Sequence, residues 1–389
     1  MNSGPIKRLL SLPTNQSGMC FVFSGPSRIG KSHLLKTELA HDLYFDLADF
    51  DTFRKLSFQP SFLSDIALPE IKIICVDNIH LMPSIFNQID HLLKTKSIVF
   101  YLTTLSMQLI EKHIPPDLTP LIEVRQLKPL SSHELKEHKN FDLNFILNYG
   151  SLPFTINSLN KETALIDYIG ALLLKDFSAT GKVKKIENFS RFLNSISIIN
   201  GFEINYEEIG QACSVPGRTV REYFKLLENY ELGYTIKSLK LNNYSKVKNK
   251  FYYFDIGVSN AFKNDFNTHL SLESYERSLK HFIFLELLNF KHTIYPGLSL
   301  NYWSDYKNNT FDFVLNAKTA VVINTTQSTH EYHFKEIIRK LDQADLKLCY
   351  FVAQDEVPNT LLLDRYKNKV KYFHIKEFLQ NLWSRSLLS

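Results

Sequence analysis

The chain has 389 residues, enough for roughly two or three domains that each bury a core. Apolar residues make up 44% and charged residues 22%, which excludes a disordered chain, and a net charge of +5 permits an acidic partner without requiring one. No apolar run is long enough to span a bilayer and the N-terminus lacks the order of a signal peptide, so no membrane partner is expected. Cys20, Cys75, Cys213 and Cys349 have neither disulfide nor zinc spacing, which suits a reducing cytoplasm. His330 and His333 form the one tight histidine pair, and no Cys or carboxylate cluster beside them supports a metal role.

The first predicted element is a buried parallel strand over the apolar run 19–23. A helix is predicted over 32–43, where Leu35, Leu39 and Leu43 recur at a four-residue spacing. Between them stand Gly25, Pro26, Ser27, Arg28, Ile29, Gly30, Lys31 and Ser32, a complete G-x-x-x-x-G-K-S loop. Its glycines let backbone N–H groups curl toward phosphate oxygens, Lys31 can reach the terminal phosphates, and the Ser32 hydroxyl can ligate Mg²⁺. The expected ligands are therefore ATP or ADP with Mg²⁺.

Candidate strands follow at 44–47, 71–77, 97–103 and 121–127, alternating with helical patterns. That alternation predicts a parallel sheet covered by helices, with the ligand at the carboxyl ends of the strands. The third strand ends in Asp77, a carboxylate placed to hold Mg²⁺ opposite the loop. The next position, where a Glu would activate water, is Asn78. An amide positions a water but takes no proton, so turnover should be slow and Asn78→Glu should raise it. His80 could substitute as the base, though a solvated or packed histidine is the better reading there. The strand near 98–102 ends in Thr103 and Thr104, where Thr103 could read the γ-phosphate.

From about residue 131 the pattern turns helical, with Ser131 or Ser132 as the entry cap. Residues 206–213 and 217–227 read as two helices joined by a turn. Val220, Phe224 and Leu227 share the packing face of the second helix, leaving Arg218, Arg221 and Lys225 on another. Beyond them Lys237, Lys240, Lys246, Lys248 and Lys250 fall on a hairpin-like segment without an acid. With Arg218, Arg221 and Lys225 they make a candidate phosphate-contacting surface for double-stranded DNA, although such modules also serve as protein-docking spacers. A helix over 275–288 then leads into mixed strands and helices.

In this order the motifs resemble a family of prokaryotic AAA-type ATPases. In that family a P-loop domain is joined to a winged helix and a C-terminal domain of restriction-endonuclease-like fold, and the likeness runs over most of the chain. After the loop come Asp46-Leu47-Ala48-Asp49, the strand ending in Asp77-Asn78, and Pro129-Leu130-Ser131. Gly150-Ser151-Leu152-Pro153 and then Phe251-Tyr252-Tyr253-Phe254-Asp255-Ile256-Gly257-Val258, like the strand that closes the family's winged helix, complete the set. The resemblance implies an α/β chain with a P-loop NTPase core over 1–130, a helical lid over 131–195, a winged helix over 196–260 and a nuclease-like domain over 261–389.

The departures from the family are specific. Leu121 stands where it places a candidate arginine finger. Of the metal-binding set of its nuclease-like fold only Asp312 is present, with Val322 and Asn324 at the Glu and Lys positions and Lys280 at that of the helix acid. One carboxylate beside such groups does not assemble a Mg²⁺ cage, so no nuclease activity is expected. The implied function is Mg²⁺-dependent ATP binding by a slow ATPase that couples nucleotide state to the later domains. The alternative is a nucleotide-regulated DNA- or protein-binding module with negligible hydrolysis.

Overall fold

The structure, a computed structural model, describes residues 6–387 apart from 11, 13–16, 60, 139–140, 178–182, 240–247, 267–270, 326–330 and 355–364. Lys240, Lys246 and His330 thus lie outside the described residues. Among those described, no helix is long and apolar enough to cross a membrane.

The first layer is a five-stranded sheet of β1 (Cys20–Ser24), β2 (Leu43–Asp46), β3 (Ile73–Asp77), β4 (Val99–Thr104) and β5 (Ile122–Gln126), in the order β2-β3-β4-β1-β5. Every pairing is parallel. β1 and β4 are buried throughout, which is why they read as unbroken apolar runs rather than alternating ones. Helices α1 (Lys31–Thr37), α2 (Phe50–Phe58), α3 (Phe62–Ile66) and α4 (Phe86–Thr95) cover the faces. The first helix is shorter than expected. Leu43, the last of the four-spaced leucines, belongs to β2 and pairs with Ile74, so strand pairing overrides its helical spacing.

A run of helices follows: α5 (Ser132–Glu137), α6 (Leu143–Tyr149), α7 (Pro153–Asn157), α8 (Lys161–Ala171) and α9 (Ile186–Ile198), with a π-helical turn at Leu172–Phe177 after α8. Ser131 caps α5 in a reciprocal box with Glu134. Then α10 (Tyr206–Cys213) and α11 (Gly217–Asn229) lead into an antiparallel hairpin, β6 (Gly233–Lys237) with β7 (Asn249–Tyr253). One apolar core joins Phe21 of β1 and Leu35 of α1 to Tyr168, Phe189, Phe192, Phe224 and Phe251, so these helices are packed onto the sheet.

After α12 (Ile256–Lys263) comes α13 (Leu272–Thr293), buried continuously from His281 to Phe290. A helix apolar all round must be covered all round. On one side α13 meets Leu135, Ile146 and Leu147; on the other it meets Phe313, Val321 and Tyr350 of a second sheet. That sheet contains β8 (Leu300–Ser304), β9 (Thr310–Leu315), β10 (Thr319–Asn324), β11 (Leu348–Ala353) and β12 (Val370–His374), in the order β12-β11-β10-β9-β8. Strands β8, β9 and β10 are antiparallel neighbours, whereas β10, β11 and β12 are parallel. Helices α14 (Glu331–Gln343) and α15 (Ile375–Trp383) complete it.

Two motifs a hundred positions apart meet in one joint. Asp255 caps α12 by accepting from Val258 N (3.1 Å) and also accepts from Ser151 N (2.8 Å). Gly150, at φ +72°, lies so close that a Cβ there would stand 2.1 Å from Asp255 Oδ1. The turn then delivers Pro153 to the start of α7. Burial raises Asp255 to about 6, against the three backbone N–H groups that favour its charged form. A carboxyl raised in the folded state stabilises fully below its ordinary 3.8, and that contribution is lost as the pH climbs through about 6. Urea midpoints measured from about pH 4 to pH 7 should fall more in the wild type than in Asp255→Asn, by on the order of 2 kcal/mol. Parallel pH profiles for the two proteins would contradict this.

Candidate nucleotide site

The loop residues 25–32 run from the end of β1 into α1, and those from Ser27 to Ser32 line a cleft of about 880 Å³, the size of a nucleotide site. Gly25 (φ +151°) passes so near Leu127 that a Cβ would lie 2.7 Å from its carbonyl oxygen, and Gly30 (φ +104°) is the N-cap of α1. Both positions need glycine. The Lys31 ammonium, largely buried, donates to the carbonyls of Gly25 and Pro26 (both 2.7 Å). Ser27, Arg28, Ile29, Gly30 and Ser32 line the cleft with it. Opposite the loop stand Pro153 and Phe154 of α7, and the Arg28 guanidinium lies 5.7 Å from the Phe154 ring centre. Ile6 and Arg8 close another side; Arg8 is tied down by the Lys128 carbonyl and by Glu134 (3.6 Å).

Asp77 is fully buried at the carboxyl end of β3. Its Oδ2 accepts from the Tyr44 hydroxyl (2.7 Å) and its Oδ1 from the Thr103 hydroxyl. Thr103 also accepts from Asn78 N (2.9 Å). Its hydroxyl proton is thus directed at Asp77, which makes Thr103 an anchor of that carboxylate. Asn78 lines the cleft in a left-handed conformation (φ +61°), and its Nδ2 donates to Asp46 Oδ1 (3.0 Å). His80 is pushed down to about 4 by burial and then by Lys31, against the pull of Asp77, so it is a poor proton acceptor. Leu121 sits half-buried just before β5.

Residues that sequence reasoning missed tie these strand ends to the later helices. Ser24, just before the loop, donates to Glu231 Oε1 (2.7 Å) in the turn between α11 and β6. Ser106, just past β4, donates to the carbonyl of Asn229 in the same turn. Lys128 donates to Tyr234 (2.9 Å) and lies 3.7 Å from Glu231; burial lowers it to about 8, with Glu231 opposing. No local pattern marks Glu231, because its partners come from distant strands.

Residues 17–136 match the family described as an AAA domain. The first domain is an AAA-type P-loop domain. Residues 140–269 match a second family, described only as a domain of unknown function. That match runs across α6 to α12 as one unit, where the sequence reading divides lid from winged helix. No curated protein matches the chain.

Beyond the AAA domain, Arg218, Arg221 and Lys225 are exposed on α11 as expected. Arg221 stacks on Tyr206 (4.8 Å) and Lys225 pairs with Glu222 (2.9 Å). Lys248 is exposed, but Lys250 is not the outward contact that the sequence reading made it. Its ammonium lies 4.5 Å from the Tyr302 ring centre, and burial holds it below the ordinary lysine value while Asp312 opposes. The cause is docking of the hairpin: Leu239 N donates to the Tyr302 carbonyl (2.7 Å) and the Tyr302 hydroxyl to that of Lys248 (2.6 Å). In the C-terminal sheet Lys280 reaches Asp312 Oδ1 (2.9 Å) and Glu276 Oε1 (2.6 Å), and Asp312 Oδ2 accepts from Ile323 N (2.9 Å). Val322 and Asn324 extend along β10 beside them.

Proposed function

We propose that the protein binds ATP with Mg²⁺ and hydrolyses it slowly, passing the nucleotide state through the turn at 229–231 to a winged helix and a nuclease-like domain without nuclease chemistry. The observation that carries this reading is the loop held in its glycine-dependent curl beside Lys31, with Asp77 buried at the carboxyl end of β3, across β4 from the loop strand. Asp77 fits a divalent cation. Its partners are neutral hydroxyls, and among the described residues no cation pairs with it, so a metal ion would supply the counter-charge. Ser32 and Asp77 would hold the ion, which supplies charge neutralisation at the phosphates. No group of three or more His, Cys, Asp or Glu side chains forms a metal cage among the described residues. The remaining ligands would then be phosphate and water, as Mg²⁺ prefers.

Support for the winged helix comes from the order α10, α11, β6, β7, and for the nuclease-like fold from the α13-led mixed sheet. Double-stranded DNA is less well served than the sequence suggests, since Lys250 faces inward and Lys225 is already paired. Calorimetry on nucleotide-free protein should show ATP binding that weakens when Mg²⁺ is chelated, with turnover below about 1 s⁻¹ in a single-turnover assay. Loss of a general base costs about 10²–10⁴ in rate. Absence of binding, or a kcat of about 10² s⁻¹, would overturn the reading.

A further inference from the structure

Asn78 is not simply a missing glutamate. Its backbone N–H is fixed by Thr103 (2.9 Å) and its side-chain Nδ2 by Asp46 (3.0 Å), two anchors on the strands either side of β3. Asp46 stands opposite Asp77 in the β2–β3 register, and its Oδ1 is itself braced by Ala48 N (2.9 Å). A carboxylate oxygen only accepts, so it decides which end of the Asn78 amide it meets: the NH₂ group must face Asp46 and the carbonyl oxygen must face away. No described residue donates to that oxygen, and Asn78 is a wall of the phosphate cleft.

From this we infer that Asp46 is a positioning residue for hydrolysis, orienting Asn78 so that Oδ1 accepts a hydrogen bond from the attacking water. The inference rests on the proposed ATP reading and deepens it. The water oxygen bonds to the γ-phosphorus, the bond from that phosphorus to the β–γ bridging oxygen breaks, and the water proton passes to a γ-phosphoryl oxygen. The products are ADP and inorganic phosphate. Neither Asn78 nor Asp46 takes the proton; the pair holds the water in line, the kind of task an amide performs in other phosphoryl-transfer sites. The same geometry reverses the expectation that Asn78→Glu raises turnover. A glutamate there would meet the Asp46 carboxylate, and it would also sit at a left-handed φ that asparagine tolerates better.

The test is a double-mutant cycle with Asp46→Asn and Asn78→Glu, reading MgATP affinity, kcat and affinity for ADP with aluminium fluoride. Asp46→Asn should lower kcat and weaken the aluminium fluoride complex about tenfold while MgATP affinity changes less than about threefold. Asn78→Glu alone should also be slower than wild type, and Asp46→Asn should then raise the rate of Asn78→Glu about tenfold instead of lowering it further. A kcat unchanged in Asp46→Asn, equal losses in kcat and MgATP affinity, or additive effects in the pair would overturn the inference. Wild-type protein that binds ATP without any turnover would overturn it while leaving nucleotide binding intact. Wild-type protein that binds no nucleotide would overturn both.

Discussion

Lys31→Ala is expected to weaken ATP affinity by at least about 100-fold, close to 3 kcal/mol. The ammonium is largely buried in the curl of the loop and donates to the carbonyls of Gly25 and Pro26. A polyphosphate would offer this ammonium charged oxygens in place of neutral carbonyls, and charge-assisted contacts are the strong ones. Alanine removes the charge without adding bulk, and the glycine geometry at Gly25 and Gly30 does not depend on the lysine side chain. Calorimetry with MgATP on variant and wild type, each checked for the same unfolding midpoint, measures the effect. Equal affinities would place the nucleotide elsewhere and remove the assignment of the loop.

The second large effect is expected from the C-terminal sheet. Lys280→Met should destabilise the protein by about 3 kcal/mol, because Asp312 and Glu276 lose the cation between them and Asp312 is mostly buried. Burial alone would lower Lys280, yet Asp312 and Glu276 hold it above its ordinary value, so the ammonium is the charged partner that this site is built around. Adding Asp312→Asn to Lys280→Met should recover most of the loss, since an uncompensated charge and not a missing contact causes it. Urea midpoints at constant slope report both values. An ammonium seated between these carboxylates also excludes a divalent ion from them. The wild type should accordingly cut neither single- nor double-stranded DNA with Mg²⁺ or Mn²⁺, and metal-dependent cleavage lost in Asp312→Ala would show that Lys280 moves aside for a metal.

The contiguous features of this chain were determined by the sequence alone. Eight neighbouring residues define the phosphate loop, and its conformation depends on glycines within the same eight, so nothing distant is needed to recognise it. The runs forming β1, β3 and β4 are apolar because parallel strands are covered on both faces, and α10 was legible to the residue from its own periodicity. Tertiary structure decided what those features do together. Thr103 became an anchor for Asp77, and Asp46 the partner of Asn78, through strand order and register, which bring together positions 26 and 32 apart. Lys250 read as solvated beside other lysines, but docking of its hairpin on Tyr302 turned it inward. Asp255 and Gly150 read as separate motifs and are one joint, closed by a contact too tight for any side chain but hydrogen. Spacing along a chain encodes which face of an element is buried; which residue waits on the facing element is set only when the elements pack.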